Sequence, residues 1–199
     1  MKVRTGFVSN SSSSSFIVAF DKAPASSKDI MKVLFPGKSR KQRLTYCDYE
    51  VTYGEIADQI FDDCNEFFTD PSGIINKKVK GWDGEQVELG YEYFIGYFSD
   101  YYKLKNLFNS QYPELEAKYE KFIKNPTSRN RKMYDEYYKS FDAFRLEKTI
   151  PKIDSWFKKN EGKIFYKFRY SDNGEGELGI VMEHGGVFKN VPHVVENNH

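Results

Sequence analysis

The two ends of the chain carry β-strand patterns, whereas the long middle carries helical ones, and this distribution limits the possible folds. Residues 16–20, FIVAF, form a short apolar run typical of a sheet interior. Residues 164–170, IFYKFRY, alternate as a strand does. Turn-forming residues 171–176 and a second apolar run at 178–182 follow, which predicts a β-hairpin. We expect this hairpin to pair with the N-terminal strand and to bring the chain ends together.

The middle of the chain is predicted to be helical over residues 91–160. Aromatic rings recur there at helical spacing, in a chain that has 17 Phe and 15 Tyr. Pro151 is expected in the first turn of a further helix, where proline is tolerated. Burial in a core explains most of these rings, with tyrosine hydroxyls at its rim. Base stacking on exposed rings would need a basic groove beside them.

An earlier helix is marked by a capping box, in which Thr52 is followed three residues later by Glu55. Apolar residues then recur at helical spacing as far as Phe68, which predicts a helix over 53–68. The length of 199 residues suits one domain. We therefore predict a single α+β domain over residues 1–199. In it, a small antiparallel sheet of N- and C-terminal strands packs against an aromatic-rich helical block.

Charge and cysteine usage narrow the class of function. The 30 basic and 29 acidic residues give a net charge of +1, so nucleic acid and anionic membranes exert no overall attraction. The densest basic run, residues 37–43, is interpreted as a solvated loop, with an arm that grips phosphates or an acidic partner as the alternative. Cys47 and Cys64 fit no zinc motif and are typical of reduced thiols in a cytoplasmic protein. We expect no signal peptide and no membrane span.

A run of five serines directly precedes the N-terminal strand. Ser and Asn favour loops because their side chains compete for nearby backbone groups. A curled loop of this kind exposes hydroxyls and N–H groups that can hold a phosphate, although a flexible spacer is the plain alternative. Apolar residues on both sides favour an anchored loop. The candidate ligand-binding residues are Asn10, Ser11, Ser12, Ser13, Ser14 and Ser15.

Both chain ends resemble those of a scattered group of small phage and bacterial proteins. The start of the chain carries the string GFVSNSSSSSF, and the end carries the residues Glu183-His184-Gly185, Phe188, Pro192-His193 and Asn198-His199. The resemblance covers about a quarter of the chain and rests on short motifs. It implies phage or bacterial origin and a cytoplasmic setting. It supplies no catalytic residues.

All the histidines, at positions 184, 193 and 199, lie near the C-terminus. Histidine both binds metals and exchanges protons near neutral pH. We expect Glu183 and His184 to end a strand, with either His184 or His193 as general acid/base and an acidic residue to orient it or to bind a metal. The candidate catalytic residues are His184, His193, Glu183 and Asp172. No nucleophile elbow, phosphate loop or zinc-protease motif is present, so the sequence identifies no metal or cofactor.

The leading functional hypothesis is an accessory protein of a phage or a bacterial cell. It would bind a host protein or a small phosphate-bearing ligand where the serine-rich loop meets the C-terminal histidines. The alternative is a phosphoester- or nucleotide-directed enzyme that uses His184 or His193 as general acid/base, with or without a metal. A structural phage component is disfavoured because sequence repeats and coiled-coil heptads are missing.

Overall fold

Strand β1, Ser13–Phe20, is the central element of the main sheet. The computed structural model describes residues 13–64, 67–68, 78–80, 86–88, 90–171 and 176–198. Strand β1 pairs antiparallel with Ile164–Ser171 on one side and with His193–Asn198 on the other. A short strand, Phe67–Phe68, adds to the outer side of Ile164–Ser171. The predicted α+β class is confirmed, and so is the sheet formed by N- and C-terminal strands.

The described residues form eight strands, seven helices and one 3-10 turn. The strands are β1, β2 (Arg43–Tyr46), β3 (Tyr49–Thr52), β4 (Phe67–Phe68), β5 (Lys78–Lys80), β6 (Gln86–Glu88), β7 (Ile164–Ser171) and β8 (His193–Asn198). The helices are α1 (Ser27–Leu34), α2 (Tyr53–Asp62), α3 (Glu92–Phe98), α4 (Tyr101–Gln111), α5 (Pro113–Lys124), α6 (Arg131–Lys159) and α7 (Gly176–His184), with a 3-10 turn at Ser128–Asn130. The order in the main sheet is β4-β7-β1-β8, and β2-β3 and β5-β6 form two-stranded sheets.

The chain divides into two compact units. The first contains Met1–Gly73 and Asn160–His199, and the second contains Ile74–Lys159. That the whole chain forms a single domain stays a prediction. Among the described residues, no helix combines the length and the apolar character that crossing a bilayer requires.

The first unit builds its core on one face of the main sheet. The register sets Phe16 opposite Phe168 and Val18 opposite Tyr166, so their side chains share that face. They form one buried cluster with residues of α1, α2 and α7, among them Ile30, Leu34, Ile56, Ile60, Val181 and Met182. On the other face of β1, Ile17 and Ala19 are buried as well. Burial on both faces explains why this strand is apolar without alternation.

The second unit builds a core from rings on helices. Phe108 of α4 lies with its ring centroid 5.3 to 5.4 Å from those of Tyr137, Phe141 and Phe144 of α6. These separations fall in the range that favours tilted and edge-to-face ring pairs. The predicted aromatic-rich helical segment is therefore observed as a packed cluster of α4 and α6 residues.

The predicted hairpin after β7 is wrong, because residues 178–182 lie in α7 and not in a return strand. One edge of β7 is taken by β1 and the other by β4, so no edge remains for a hairpin partner. Periodicity alone does not distinguish a short apolar run in a strand from one in a buried helix. The expectation that Glu183 and His184 end a strand fails for the same reason, since they form the last turn of α7. Residues 172–175 of the predicted turn lie outside the described residues.

The start of helix α2 agrees with prediction, but its end does not. The capping box is confirmed: Glu55 N donates to Thr52 Oγ1 at 3.2 Å, and Thr52 N donates to Glu55 Oε2 at 2.9 Å. However, α2 ends at Asp62, and residues 67–68 pair with β7 instead of continuing the helix.

Pro151 lies inside α6 and does not begin a helix. Proline removes one helical N–H donor and crowds the preceding turn, which disfavours an interior position. Ile153 and Phe157 are buried beyond it, so their packing supports the continuation of the helix.

Candidate functional site

Three of the five serines are strand residues. Ser13, Ser14 and Ser15 begin β1 and are 5%, 1% and 5% exposed. Their backbones pair with β7 on one side and β8 on the other. This two-sided ladder satisfies the backbone groups that serine side chains would otherwise bind, so the predicted loop conformation is wrong for these three residues. Asn10, Ser11 and Ser12 lie outside the described residues.

Ser14 reaches the last turn of α7. Its Oγ donates a hydrogen bond to Glu183 Oε1 at 3.2 Å, between residues 169 positions apart. The other carboxylate oxygen, Oε2, lies 3.5 Å from His184 Nε2. The Glu183 side chain is fully buried, and a buried carboxylate needs such partners to offset its lost hydration. The three side chains therefore tie the start of β1 to the end of α7.

The position of His184 is fixed from two sides. Its ring stacks on Tyr46 of β2, with centroids 5.3 Å apart and planes 22° apart. The next residue, Gly185, donates its N–H to Val181 O at 2.7 Å, and a Cβ added there would lie 2.4 Å from that oxygen. Glycine at 185 is therefore required for the close turn that ends α7. The stacking of Tyr46 on His184 joins residues far apart in the chain, and no local pattern in the sequence predicted it.

The same geometry limits what this group of residues can do chemically. A serine nucleophile must reach its substrate, yet Ser14 is almost fully buried and donates a hydrogen bond to a carboxylate that is also buried. Of the three side chains, His184 alone reaches solvent, at 28% exposure. The arrangement suits a structural tie between β1 and α7. Asp172, the fourth candidate of this neighbourhood, lies outside the described residues.

His193 is placed away from Ser14. It pairs in register with Val18, four residues along β1 from Ser14, which corresponds to about 13 Å of strand. Its Nδ1 lies 3.0 Å from Val191 O, and its ring centroid lies 6.3 Å from that of Phe188. The structure thus brings Ser14 together with Glu183 and His184 but not with His193. Within the described part of the chain, no group of three or more His, Cys, Asp or Glu side chains could hold a metal ion.

A cleft of about 450 Å³ lies where β1 leaves the main sheet. Its walls come from the end of β1, from the residue before β7 and from the segment before β8. The walls are held by Ala19 N, which donates to Pro192 O at 2.9 Å, and by Asn190 Nδ2, which donates to Leu34 O at 2.7 Å. The lining residues are Ala19, Phe20, Asp21, Lys22, Val33, Lys163, Asn190, Val191 and Pro192. The volume lies within the range of small-ligand pockets, about 300 to 1,000 Å³.

The lining of the cleft combines charged side chains with apolar ones. Lys163 Nζ lies 3.0 Å from Asp21 Oδ1, and Lys22 is the second lysine of the lining. The Lys163 side chain is 26% exposed, whereas that of Asp21 is 88% exposed. The lining therefore combines two ammonium groups with one carboxylate that extends into water. None of these residues belongs to a motif, and the expected meeting of the chain ends was the one signal in the sequence that indicated this region.

Neither cysteine lines the cleft. Neither Cys47 nor Cys64 forms a disulfide, which fits the predicted free thiols. Burial raises the pKa of the Cys64 thiol to about 12, and the Asp63 carboxylate acts in the same direction. Because the thiolate is the nucleophilic form, Cys64 is unreactive near neutral pH.

Comparison with known proteins leaves the family open. No protein-family model, no curated protein and no solved structure matches this chain. The resemblance of its two ends to small phage and bacterial proteins stays a prediction.

Proposed function

We propose that this chain is a non-catalytic accessory protein, of phage or bacterial origin, that binds a small phosphate-bearing ligand. The observation that carries the proposal is the cleft at the end of β1, with two lysines in its lining. Ammonium groups form strong charge-assisted hydrogen bonds with phosphate oxygens. Lys22 and Lys163 would hold the phosphate, and Phe20, Val33 and Pro192 would contact the apolar part of the ligand.

The proposed site still lies where the two chain ends meet, but at the end of β1 and not at the serines that begin it. The sequence patterns indicated a ligand beside the serines and histidines, whereas Ser14 and Glu183 are buried against each other. We assign to the Ser14–Glu183–His184 group the role of holding β1, whose far end forms one wall of the cleft. A small ligand is favoured over a host protein because the site is concave and of ligand size.

The enzymatic alternative finds less support in this geometry. A phosphoester- or nucleotide-directed enzyme would need an imidazole that faces both a substrate and a second reactive group. His184 has its partner carboxylate buried behind it, and His193 lies about 13 Å along β1 from Ser14. We therefore propose binding without turnover.

The proposal is tested by NMR titration of the ¹⁵N-labelled full chain with AMP, inorganic phosphate and adenosine. AMP and phosphate are expected to shift the amide signals of Asp21, Lys22 and Lys163, and adenosine is expected to act much more weakly. Lys163→Gln should weaken AMP binding at least about tenfold, because it removes a charge-assisted contact.

Lys28→Gln is the matched control, since it removes an equal charge from an exposed position of α1. It should leave AMP binding unchanged within about twofold. The proposal is rejected if up to about 10 mM AMP leaves the three cleft amides unshifted, a concentration that would reveal even weak binding.

A further inference from the structure

We infer that Asp21 is a built-in competitor for the ligand: its carboxylate occupies on Lys163 the position that the ligand's phosphate takes. The inference rests on the proposed function and adds to it which group pairs with Lys163 while the cleft is empty. It also predicts which anions the cleft selects.

The first support is the asymmetry of the ion pair. Lys163 is three-quarters buried, while its partner Asp21 is 88% exposed at a separation of 3.0 Å. A lysine this shielded is costly to leave unpaired, so a carboxylate beside it stabilises the empty cleft. An ion pair with one partner so exposed contributes little free energy to folding. A ligand anion can therefore replace Asp21 at small cost.

The second support is the position of Asp21 in the chain. The backbone is fixed up to the end of β1, where Ala19 N donates to Pro192 O and Phe20 is buried in the core. Asp21 is the first residue beyond the strand, and the side chains of Asp21, Lys22 and Ala23 are exposed. The carboxylate can thus rotate away from Lys163 without disturbing the core.

The third support is the chemistry of the two anions. A carboxylate carries one charge and two oxygens, whereas a phosphate monoester carries close to two charges and three strong acceptor oxygens. Lys163 and Lys22 both line the cleft, so a phosphate bound there would have a second lysine as a donor. When a phosphate replaces the Asp21 carboxylate on Lys163, it therefore gains an additional hydrogen bond from Lys22. A simple carboxylate such as acetate gains no additional bond. The cleft should select phosphate monoesters over carboxylates of similar size.

The experiment measures AMP, inorganic phosphate and acetate affinities by calorimetry and NMR for the full chain and four variants. Asp21→Asn should tighten AMP and phosphate binding about three- to fivefold, because it removes the competing charge. Lys163→Gln should weaken both at least about tenfold, and Asp21→Asn should give no gain in the Lys163→Gln background. Asp48→Asn, the same charge change at the β2–β3 turn, should alter affinity less than about 1.5-fold and controls for net charge.

The outcomes separate the inference from the proposed function. If AMP and phosphate shift the cleft amides but Asp21→Asn leaves their affinity unchanged or weakens it, the competitor role is wrong and the binding site stands. The competitor role is also wrong if acetate binds as tightly as phosphate. If neither AMP nor phosphate binds the unaltered chain or Asp21→Asn, the proposed function and the inference both fail. Thermal melting of each variant confirms that it remains folded.

Discussion

The two units of this protein hold themselves together in opposite ways. The first joins distant parts of the chain: β1 pairs with strands that begin at Ile164 and His193, and the Ser14–Glu183 bond spans 169 positions. The second packs rings from α4 and α6, which are separated in the chain by α5 and a short 3-10 turn. Long-range pairing must overcome the entropy of closing a long loop, and this cost is modestly smaller for helices that pack closer together in sequence. The candidate binding cleft lies in the unit that depends on the distant pairing.

The cores differ in composition as well as in connectivity. The core of the first unit mixes aliphatic side chains with rings on one sheet face, and its buried polar tie sits at the edge of that core. In the second unit, Phe108 has four ring neighbours, Tyr112, Tyr137, Phe141 and Phe144. Removal of one aromatic ring should therefore lower the free energy of unfolding most in the second unit. Removal of one buried polar contact should lower it most in the first.

The largest effect is expected from removing the central ring of the second unit. Phe108→Ala should lower the free energy of unfolding by about 3 to 5 kcal/mol, because it leaves a cavity among four rings. Phe108→Leu keeps most of the volume and should cost about 1.5 kcal/mol. Urea denaturation measures both. A loss below about 1 kcal/mol for Phe108→Ala would mean that this ring cluster does not stabilise the unit.

The next effect concerns the tie of the first unit. Ser14→Ala should cost about 1 to 3 kcal/mol, since it withdraws a donor from a buried carboxylate. In a double-mutant cycle with Glu183→Ala, which removes the acceptor, the two losses should be clearly non-additive. Ser13→Ala is the matched control: Ser13 is equally buried in β1, but its bond from Arg169 is long, at 3.4 Å, so its loss should stay below about 1 kcal/mol. Additive losses would show that Ser14 and Glu183 do not interact.

A smaller effect should appear in the second unit at alkaline pH. Burial raises the pKa of Tyr137 from 10.0 to about 12, so the neutral phenol is favoured in the folded second unit. Its contribution to stability is fully present below pH 10 and is lost as the pH rises through about 12.

The control for this effect is Tyr137→Phe, which keeps the ring but removes the titrating hydroxyl and its 2.6 Å bond to Asn109. It should lower stability at about pH 8 by about 1 kcal/mol and lose less stability than the unaltered chain between pH 10 and pH 12. Chemical denaturation at both ends of this range measures the difference. An identical pH dependence in the two proteins would contradict the assignment.

Local signals in the sequence predict their elements correctly, and distant partners explain the errors. The Thr52–Glu55 capping box depends on residues three apart and is observed as predicted. Ser13, Ser14 and Ser15 favour a loop by local preference, but their strand partners lie more than 150 residues away and hold them in the sheet. Residues 178–182 fit a strand as well as a helix, because a short apolar run is typical of either element. Backbone pairing with β7 and β8 places the three serines in a strand. The occupied edges of β7 leave no place for residues 178–182 in the sheet.

The candidate site was predictable only in outline. The meeting of N- and C-terminal strands followed from their patterns, and the cleft lies where those segments leave the sheet. Its lysines, Lys22 and Lys163, come from ordinary polar stretches with no motif, so nothing local distinguished them. The sequence predicted serine hydroxyls beside the C-terminal histidines, with Glu183 to orient one of them, whereas a direct and buried Ser14–Glu183 contact could not be read from composition.

A crystal structure of the full chain grown with AMP tests the central claim most directly. The proposed function and the competitor role together predict the AMP phosphate within about 3 Å of Lys163 Nζ, with the Asp21 carboxylate turned into solvent and Ser14 still bonded to Glu183. An AMP molecule bound elsewhere, with the Lys163–Asp21 pair intact and the cleft empty, would contradict it.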